Sequence, residues 1–420
     1  MDFDYIIIGG GITGLYTVEQ LLNKYNESKK ILLLDERTYF GGRLITHKNP
    51  HYEIGGARFN NNHVLLLKLI QKYKLTKIGI SNNVDYIEKS NNQINYHKDV
   101  NKTFDYLMKM IVKESKKFSK KYLITFTFQE FINNISETKD LSKCLIQIFG
   151  YNSEFTKMNA YDSIRSFEND FIAKKYFVLK EGFSELCLRI VKNNKKKIDF
   201  RLKHKVNNIE KKDNNYIVSC YDMENNKDVL FNGKKIIIAI KSEQLRNFSI
   251  LKPIIPYLKC LYNAPLLRIY AIYPLDKNTK KVWFYDLPKI TTNSFLRHII
   301  PINKDNGLIM ISYTDGVDTD IFMENKSKGI IKKDEKIKKM INDELKILFP
   351  NLIIPKPSYF KSHIWNVGAH HWKPNCDSKK IYNKIKSPIQ NIFIVGEAFS
   401  QKQAWIEGGL ETVNDVIDKL

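Results

Sequence analysis

Two glycine-containing segments at opposite ends of the chain have the residue types to bind anions. The first reads Tyr5-Ile6-Ile7-Ile8-Gly9-Gly10-Gly11-Ile12-Thr13-Gly14-Leu15. The second reads Ile392-Phe393-Ile394-Val395-Gly396-Glu397-Ala398, then Trp405-Ile406-Glu407-Gly408-Gly409-Leu410. Each is an apolar strand running into a helix start. A helix N-terminus presents unpaired N–H groups and a partial positive charge, so each start can hold an electron-rich group. Two of them in one chain suit a ligand with two anionic parts, a pyrophosphate and a reducible ring. FAD fits that description.

Spacing sharpens the first segment. Gly9 and Gly11 permit a tight turn and a close approach of backbone to phosphate oxygens, while Gly14 lets the helix lie against the strand. An amphipathic stretch (Leu15, Val18, Leu21, Leu22) follows, and then a second apolar run, Ile31–Leu34, which ends at Asp35. That acid lies about 20 residues past the last glycine, where a carboxylate accepts the ribose hydroxyls of a dinucleotide.

The elements that must position these groups are read in chain order. Residues 1 to 75 form the strand–turn–helix unit and its continuation. Residues 76–175 lack glycine punctuation and place Phe104, Leu107, Met108 and Ile111 at helical spacing, which predicts a largely helical segment. Glu181–Leu186 is a turn opening a helix. Lys205–Ile209 and Tyr216–Cys220 are strands, and Lys235–Ile240 has the continuous apolar character of a covered parallel strand. Residues 263–275 and 295–313 read as strands of another sheet, and 327–349 as a helix ended by Pro350. The expected fold is α/β: a Rossmann-like FAD-binding domain with an inserted α+β substrate domain. The nucleotide domain is expected in three pieces, 1–75, 176–260 and 385–420. The substrate domain takes 76–175 and 261–384.

Composition sets the broad class. A chain of 420 residues can bury a large core. No run of eighteen apolar residues suggests a membrane span, and a strand beginning almost at residue 1 leaves no room for a signal peptide. A cytoplasmic protein is the simplest expectation. The five cysteines are scattered, with no C-x-x-C pair, so the expectation is incidental thiols, no zinc site and no disulfide framework. Net charge is +23, yet only nine of the 68 basic residues are arginine. Lysine, asparagine and isoleucine in excess are what AT-rich coding yields, as in some protists, bacteria and giant DNA viruses. A lysine-covered surface therefore outweighs nucleic-acid binding as the reading of this charge.

With these motifs in view, the chain resembles the FAD-dependent amine oxidase family, which includes monoamine, polyamine and L-amino-acid oxidases. The likeness rests on Gly9–Leu15, on Asp35-Glu36-Arg37 with Gly41-Gly42-Arg43, on Tyr52–Arg58, and on Gly396-Glu397 with Trp405–Leu410. It implies that Gly42 and Arg43 lie beside the diphosphate and the flavin. It implies that Gly56, Ala57 and Arg58 pass close to the flavin ring, that Val206 offers its backbone to the adenine, and that Glu397 lies near the ribityl chain. The helix start at Ile406 would face the ring's pyrimidine edge and stabilise the charge gained on reduction.

Departures from the family pattern carry their own expectations. Many members place a lysine on a substrate-domain strand, holding a water near the reactive flavin nitrogen; Arg268 stands there in this alignment. Arginine keeps the charge but cannot deprotonate and has a different fork, which points to slow reaction with oxygen. Members with covalent flavin carry a cysteine where Ala369 falls, so FAD is expected to bind non-covalently. The family often frames the substrate amine between two aromatic rings, and Trp405 and His370 match those positions. Hydrogen-bonded surface histidines with no such role are the competing reading for His370 and His371. Arg58 followed by His63 resembles the L-amino-acid oxidase branch, where an arginine clamps a substrate carboxylate through a bidentate pair; a structural arginine on a backbone carbonyl is the alternative.

The implied activity is removal of hydride from the C–N carbon of an amine or amino acid, with oxygen or another acceptor reoxidising the flavin. Arg268, Trp405 and His370 would carry it, and Arg58, His370 and Trp405 would meet the substrate. A desaturase or sugar-nucleotide isomerase on the same fold, or a non-catalytic FAD-binding protein, are the rival classes.

Overall fold

The computed structural model describes residues 2–91, 93–137 and 140–420, and it divides into two compact units. The first comprises the chain up to Ile80, Tyr176–Tyr262 and Cys376–Leu420; the second comprises Ser81–Lys175 and Asn263–Asn375.

The first unit is built on a seven-stranded sheet. Strand Asp2–Ile8 lies between Ile31–Leu34 and Lys227–Ile238, parallel to both. Ile6, Ile7, Leu32, Leu33 and Leu34 are completely buried. On one face, helix Ile12–Tyr25 contributes Leu15, Val18 and Leu21, and helix Ile406–Ile417 contributes Leu410, Val413 and Val416 to the same core. Burying each such side chain is worth about 1.5–3 kcal/mol. Strand Lys227–Ile238 plays two parts. Its first half pairs antiparallel with Asn215–Asp222, and its apolar second half runs parallel to Asp2–Ile8 and to Ile392–Ile394. The apolar run that begins at Lys235 is therefore the part flanked by strands on both sides. A small sheet, Phe59–Asn60, Tyr176–Leu179 and Lys77–Gly79, completes the unit.

The second unit holds another seven-stranded sheet. In spatial order its strands are Tyr359–Trp372, Leu261–Ile272, Leu308–Asp315, His298–Asn303, Lys289–Thr292, Val84–Ser90 and Gln93–His97. Helix Asp334–Leu348 packs Ile337, Ile341, Leu345 and Leu348 onto it. A separate core of Phe104, Phe128, Phe131, Phe155 and Phe167 gathers the helices between residues 100 and 172.

Three expectations change. Residues 76–175 are not helical from the start: Lys77–Gly79 is a strand, and Val84–Ser90 with Gln93–His97 is an antiparallel hairpin. The hairpin turns at Asn91, at φ +41°, so no glycine marks it. Its partner strand, Lys289–Thr292, lies about two hundred residues away, and only that parallel pairing completes it. The helix expected over 327–349 begins at Asp334, because Ile330–Ile331 pairs with Met323–Asn325 instead. Finally, Cys260 and Cys376 are not incidental thiols; they form a disulfide, with Cα atoms 5.7 Å apart across 116 residues of sequence.

Candidate active site

The N-terminal glycines divide by what their missing side chains would strike. At Gly9 (φ +110°) a Cβ would collide with the Ala239 carbonyl, and at Gly14 with the Gly9 carbonyl. Those two glycines are demanded by the chain itself. Gly11 is different. It is the residue preceding helix Ile12–Tyr25, at φ −69° and ψ 174°, a conformation open to any residue. A Cβ there would meet nothing nearer than Gly42 Cα at 3.8 Å. At Gly396 (φ +137°) a Cβ would meet nothing within 4 Å. The start of helix Ile12–Tyr25 at Gly11, and the turn at Gly396 that opens the short helix Glu397–Phe399, thus keep open space beside them, which is the shape a closely held phosphate or ring requires.

Charge matches that space. The Asp35 carboxylate ends its strand and accepts the Gly10 N–H at 2.6 Å and the Arg37 N–H at 2.8 Å. Burial raises its pKa despite both bonds. Glu36 accepts from the Gln244 side chain at 2.9 Å. The same corner is tied to strand His204–Lys212: the His204 N–H donates to the Asp35 carbonyl and the Lys203 N–H to the Arg37 carbonyl, each at 2.9 Å. Val206 stands two residues further along that strand, at a bulge. Lys241 was not anticipated from sequence. Burial holds its pKa below the ordinary lysine range, and the charges of Arg37 and Arg43 push it lower still. Lys241, Arg37 and Arg43 gather positive charge here, offset in part by Glu36, Glu243 and the Arg43–Glu397 ion pair, so this corner can receive a diphosphate. The sequence signal for Lys241 was available: it directly follows the apolar run Ile236–Ile240, whose strand ends at Ile238, at the end where the glycine turn lies.

At the other end of the cradle, Arg43 donates to Glu397 Oε2 at 2.8 Å, and Glu397 Oε1 accepts the Ala404 N–H at 2.8 Å. One carboxylate thereby fixes the arginine and the left-handed turn at Ala404 (φ +67°) that delivers Trp405. The Gly56 N–H donates to the Arg43 carbonyl at 3.0 Å, so the segment carrying Gly56, Ala57 and Arg58 starts from the same anchor. Thr13 closes the arrangement: the space for a Cβ on Gly409 ends at Thr13 Oγ1, 2.6 Å away, so the two helix starts meet through a glycine.

Trp405 precedes helix Ile406–Ile417 and is 7% exposed. Its ring lies nearly parallel to that of Tyr176, 6.3 Å apart with planes inclined by 9°. The Arg58 guanidinium lies over both, 4.8 Å from the Tyr176 ring and 5.9 Å from Trp405. His63 meets Trp405 edge-on at 4.8 Å. Glu407 accepts the Leu65 and Leu66 N–H groups at 2.8 and 2.9 Å, satisfying the start of helix Val64–Lys72 and holding His63 in place. Tyr176 was missed. The only hint in the sequence is an aromatic opening the strand that leads into the Glu181-Gly182 turn.

Arg268 and His370 belong to the second unit, on the neighbouring strands Leu261–Ile272 and Tyr359–Trp372. Arg268 is buried, stacks 4.6 Å from the Tyr313 ring and donates from Nη2 to the Tyr313 hydroxyl at 3.3 Å. Tyr313 in turn packs edge-on against Tyr151. His370 is completely buried. Ala369, beside it, offers no thiol.

An α/β unit with a glycine turn before its first helix and an acid closing the second strand defines a dinucleotide-binding fold. Over residues 12–413 the chain matches the flavin-containing amine oxidoreductases, and it belongs to that family. Over its whole length it is similar in fold to wild-type putrescine oxidase bound to putrescine, at a TM-score of 0.78 and 13% identity, covering 99% of that chain. A double mutant of putrescine oxidase redesigned in cofactor binding gives a TM-score of 0.76, again at 13% identity with 100% and 99% covered. The chain is also 34% identical over 96 residues to the uncharacterized protein R188 of Acanthamoeba polyphaga mimivirus. That match takes in 22% of this chain and 18% of the viral protein.

Proposed function

We propose that the protein is an FAD-dependent oxidoreductase that removes hydride from the carbon of a C–N bond in a small amine, and that its preferred substrate also carries a carboxylate. Arg58 carries this reading: its guanidinium is positioned by two near-parallel rings, one of them Trp405. A carboxylate is the group that a positioned guanidinium binds best, through two parallel hydrogen bonds. Bound FAD would accept the hydride as the C–N bond becomes a C=N bond. The chain's own residues do the rest. Gly9, Gly11 and Thr13 at the first helix start, with Arg43 and Lys241, hold the diphosphate. Asp35 meets the ribose, and the helix start at Ile406 offers N–H groups to the ring's pyrimidine edge. Tyr176 and Trp405 orient the amine carbon, and roles for Arg268 and His370 rest on the family pattern alone. Hydride removal from a neutral amine requires no base from the protein. The family match supports this class over a desaturase or a sugar-nucleotide isomerase.

Putrescine, bound in the similar structure, has no carboxylate, so a plain diamine is the second reading. Among the described residues no helix is long and apolar enough to cross a membrane, in keeping with a small-molecule substrate met in the cytoplasm. The test is anaerobic bleaching of the bound flavin by a panel of amines, diamines and amino acids. Amino acids should bleach it fastest, and Arg58→Ala should raise their KM at least tenfold while leaving amines within twofold. Faster bleaching by diamines, untouched by Arg58→Ala, would establish the second reading instead.

A further inference from the structure

The Cys260–Cys376 disulfide sits at a particular place in the chain. Both cysteines belong to the first unit, at the points where the backbone leaves it and returns: the segment between them that belongs to the second unit is Asn263–Asn375. Cys260 directly precedes strand Leu261–Ile272, and Cys376 follows strand Tyr359–Trp372 by four residues. Those strands are neighbours, and Tyr359–Trp372 is the edge of its sheet. At their far end the Ser358 N–H donates to the Ile272 carbonyl at 2.8 Å. Midway, a Cβ on Gly368 would run into the Leu266 side chain. The strands are thus antiparallel, and the disulfide closes their root. An edge strand has backbone pairing on one side alone, so a covalent tie at its root bears on its register and fraying.

We infer that this disulfide is a redox-responsive clasp that fixes the strand pair carrying Arg268 and His370. The functional part of the inference rests on the site proposed above and the redox response on the cytoplasmic location proposed there; the geometry of the clasp rests on neither. Cytoplasmic disulfides are usually transient and redox-sensing rather than permanent. Cys260 is partly exposed while Cys376 is 8% exposed, so one sulfur is approachable by an external thiolate. Reduction by a dithiol proceeds through a mixed disulfide: the dithiol loses two electrons and two protons and becomes a cyclic disulfide, and Cys260 and Cys376 become thiols. Reoxidation by a peroxide returns the bond, the two thiols and one hydrogen peroxide giving the disulfide and two waters. A cation–π contact, Lys384 5.5 Å from the Tyr257 ring, links the flanking segments without the bond, so reduction loosens the root rather than releasing it.

The experiment compares holoprotein before and after dithiothreitol, the thiol state at 260 and 376 being verified by mass spectrometry after alkylation. Hydrogen exchange is followed in peptides covering Tyr359–Trp372 and, as a reference, Asp2–Ile8. Reduction should speed exchange in the edge strand at least tenfold and leave the reference unchanged. The Cys260→Ser/Cys376→Ser variant should show the fast rate with no further response to dithiothreitol. Cys144→Ser should behave as wild type. With an amine that bleaches the flavin, KM should rise several-fold on reduction and recover on peroxide treatment. Equal exchange in the two thiol states, or free thiols persisting at both positions when reduced native protein is treated with peroxide and only then alkylated, would overturn the inference. If no amine in the panel reacts, the catalytic reading fails, and the exchange measurement still decides the clasp.

Discussion

Gly11 separates what the fold requires from what the cofactor requires. Replacing it by alanine puts a methyl group where the chain has no atom nearer than 3.8 Å, in a backbone conformation that alanine adopts freely. Ahead of a helix, alanine is poorer than glycine by a few tenths of a kcal/mol up to about 1 kcal/mol. The restricted unfolded chain returns about 0.4–1 kcal/mol. The apoprotein should therefore keep its stability within about 0.5 kcal/mol. Binding of FAD should suffer far more. The methyl would stand between the first helical N–H groups and the phosphate oxygens, and losing one hydrogen bond to a charged group costs about 1.5–3 kcal/mol, or roughly 10–150-fold in Kd. Gly11→Val, with its branched side chain, should abolish retention. Gly14→Ala is the contrast: its Cβ would overlap the Gly9 carbonyl, so the protein itself should lose about 1–3 kcal/mol. Thermal melts of the apoproteins and FAD titration by fluorescence quenching measure both quantities. A stable Gly11→Ala protein that binds FAD within threefold of wild type would refute the cradle.

Acid precipitation should release all of the flavin, since Ala369 supplies no thiol; yellow colour retained in the washed pellet would show a covalent link elsewhere. Arg268→Lys should reoxidise faster than wild type after photoreduction, because a compact ammonium holds a water differently from a fork; stopped-flow traces with equal rates would remove Arg268 from that role. Burial pushes the Cys187 and Cys220 thiols up to about 12, so at pH 8 iodoacetamide should label only the exposed Cys144 in native oxidised protein. Three sites should react after unfolding and five after unfolding with reduction, as counted by intact mass. Opening the disulfide, which closes a loop of 116 residues, should cost up to about 5 kcal/mol of stability by loop entropy; denaturant midpoints that coincide with and without dithiothreitol would contradict it.

The parts legible in sequence were those whose geometry is local. Gly9, Gly14 and the apolar strands beside them require each other within a few residues, so spacing alone announces the turn. Asp35 was legible for the same reason, as the residue ending a buried strand. Non-local pairing was not. Val84–Ser90 pairs locally with Gln93–His97 across a turn that no glycine marks, and it joins the sheet only through Lys289–Thr292, about two hundred residues away. Cys260 and Cys376 are one pair among ten possible pairings of five scattered cysteines. Tyr176 reaches Trp405 only through the small sheet in which Asn60 pairs with Tyr176, a contact that spans more than half the chain.

The central sheet also imposes an order in time. Strand Asp2–Ile8 leaves the ribosome well before its neighbour Lys227–Ile238, and Ile392–Ile394 and the helix Ile406–Ile417 come later still. At about 5–20 residues per second, roughly 20–80 s separate the first strand from the last. For that interval the nascent chain carries an apolar strand with an unfilled edge, and both halves of the flavin cradle are present only once Ile406–Ile417 has been made. Cofactor capture is thus set by the topology as a late event, and the early strands need shielding until it occurs.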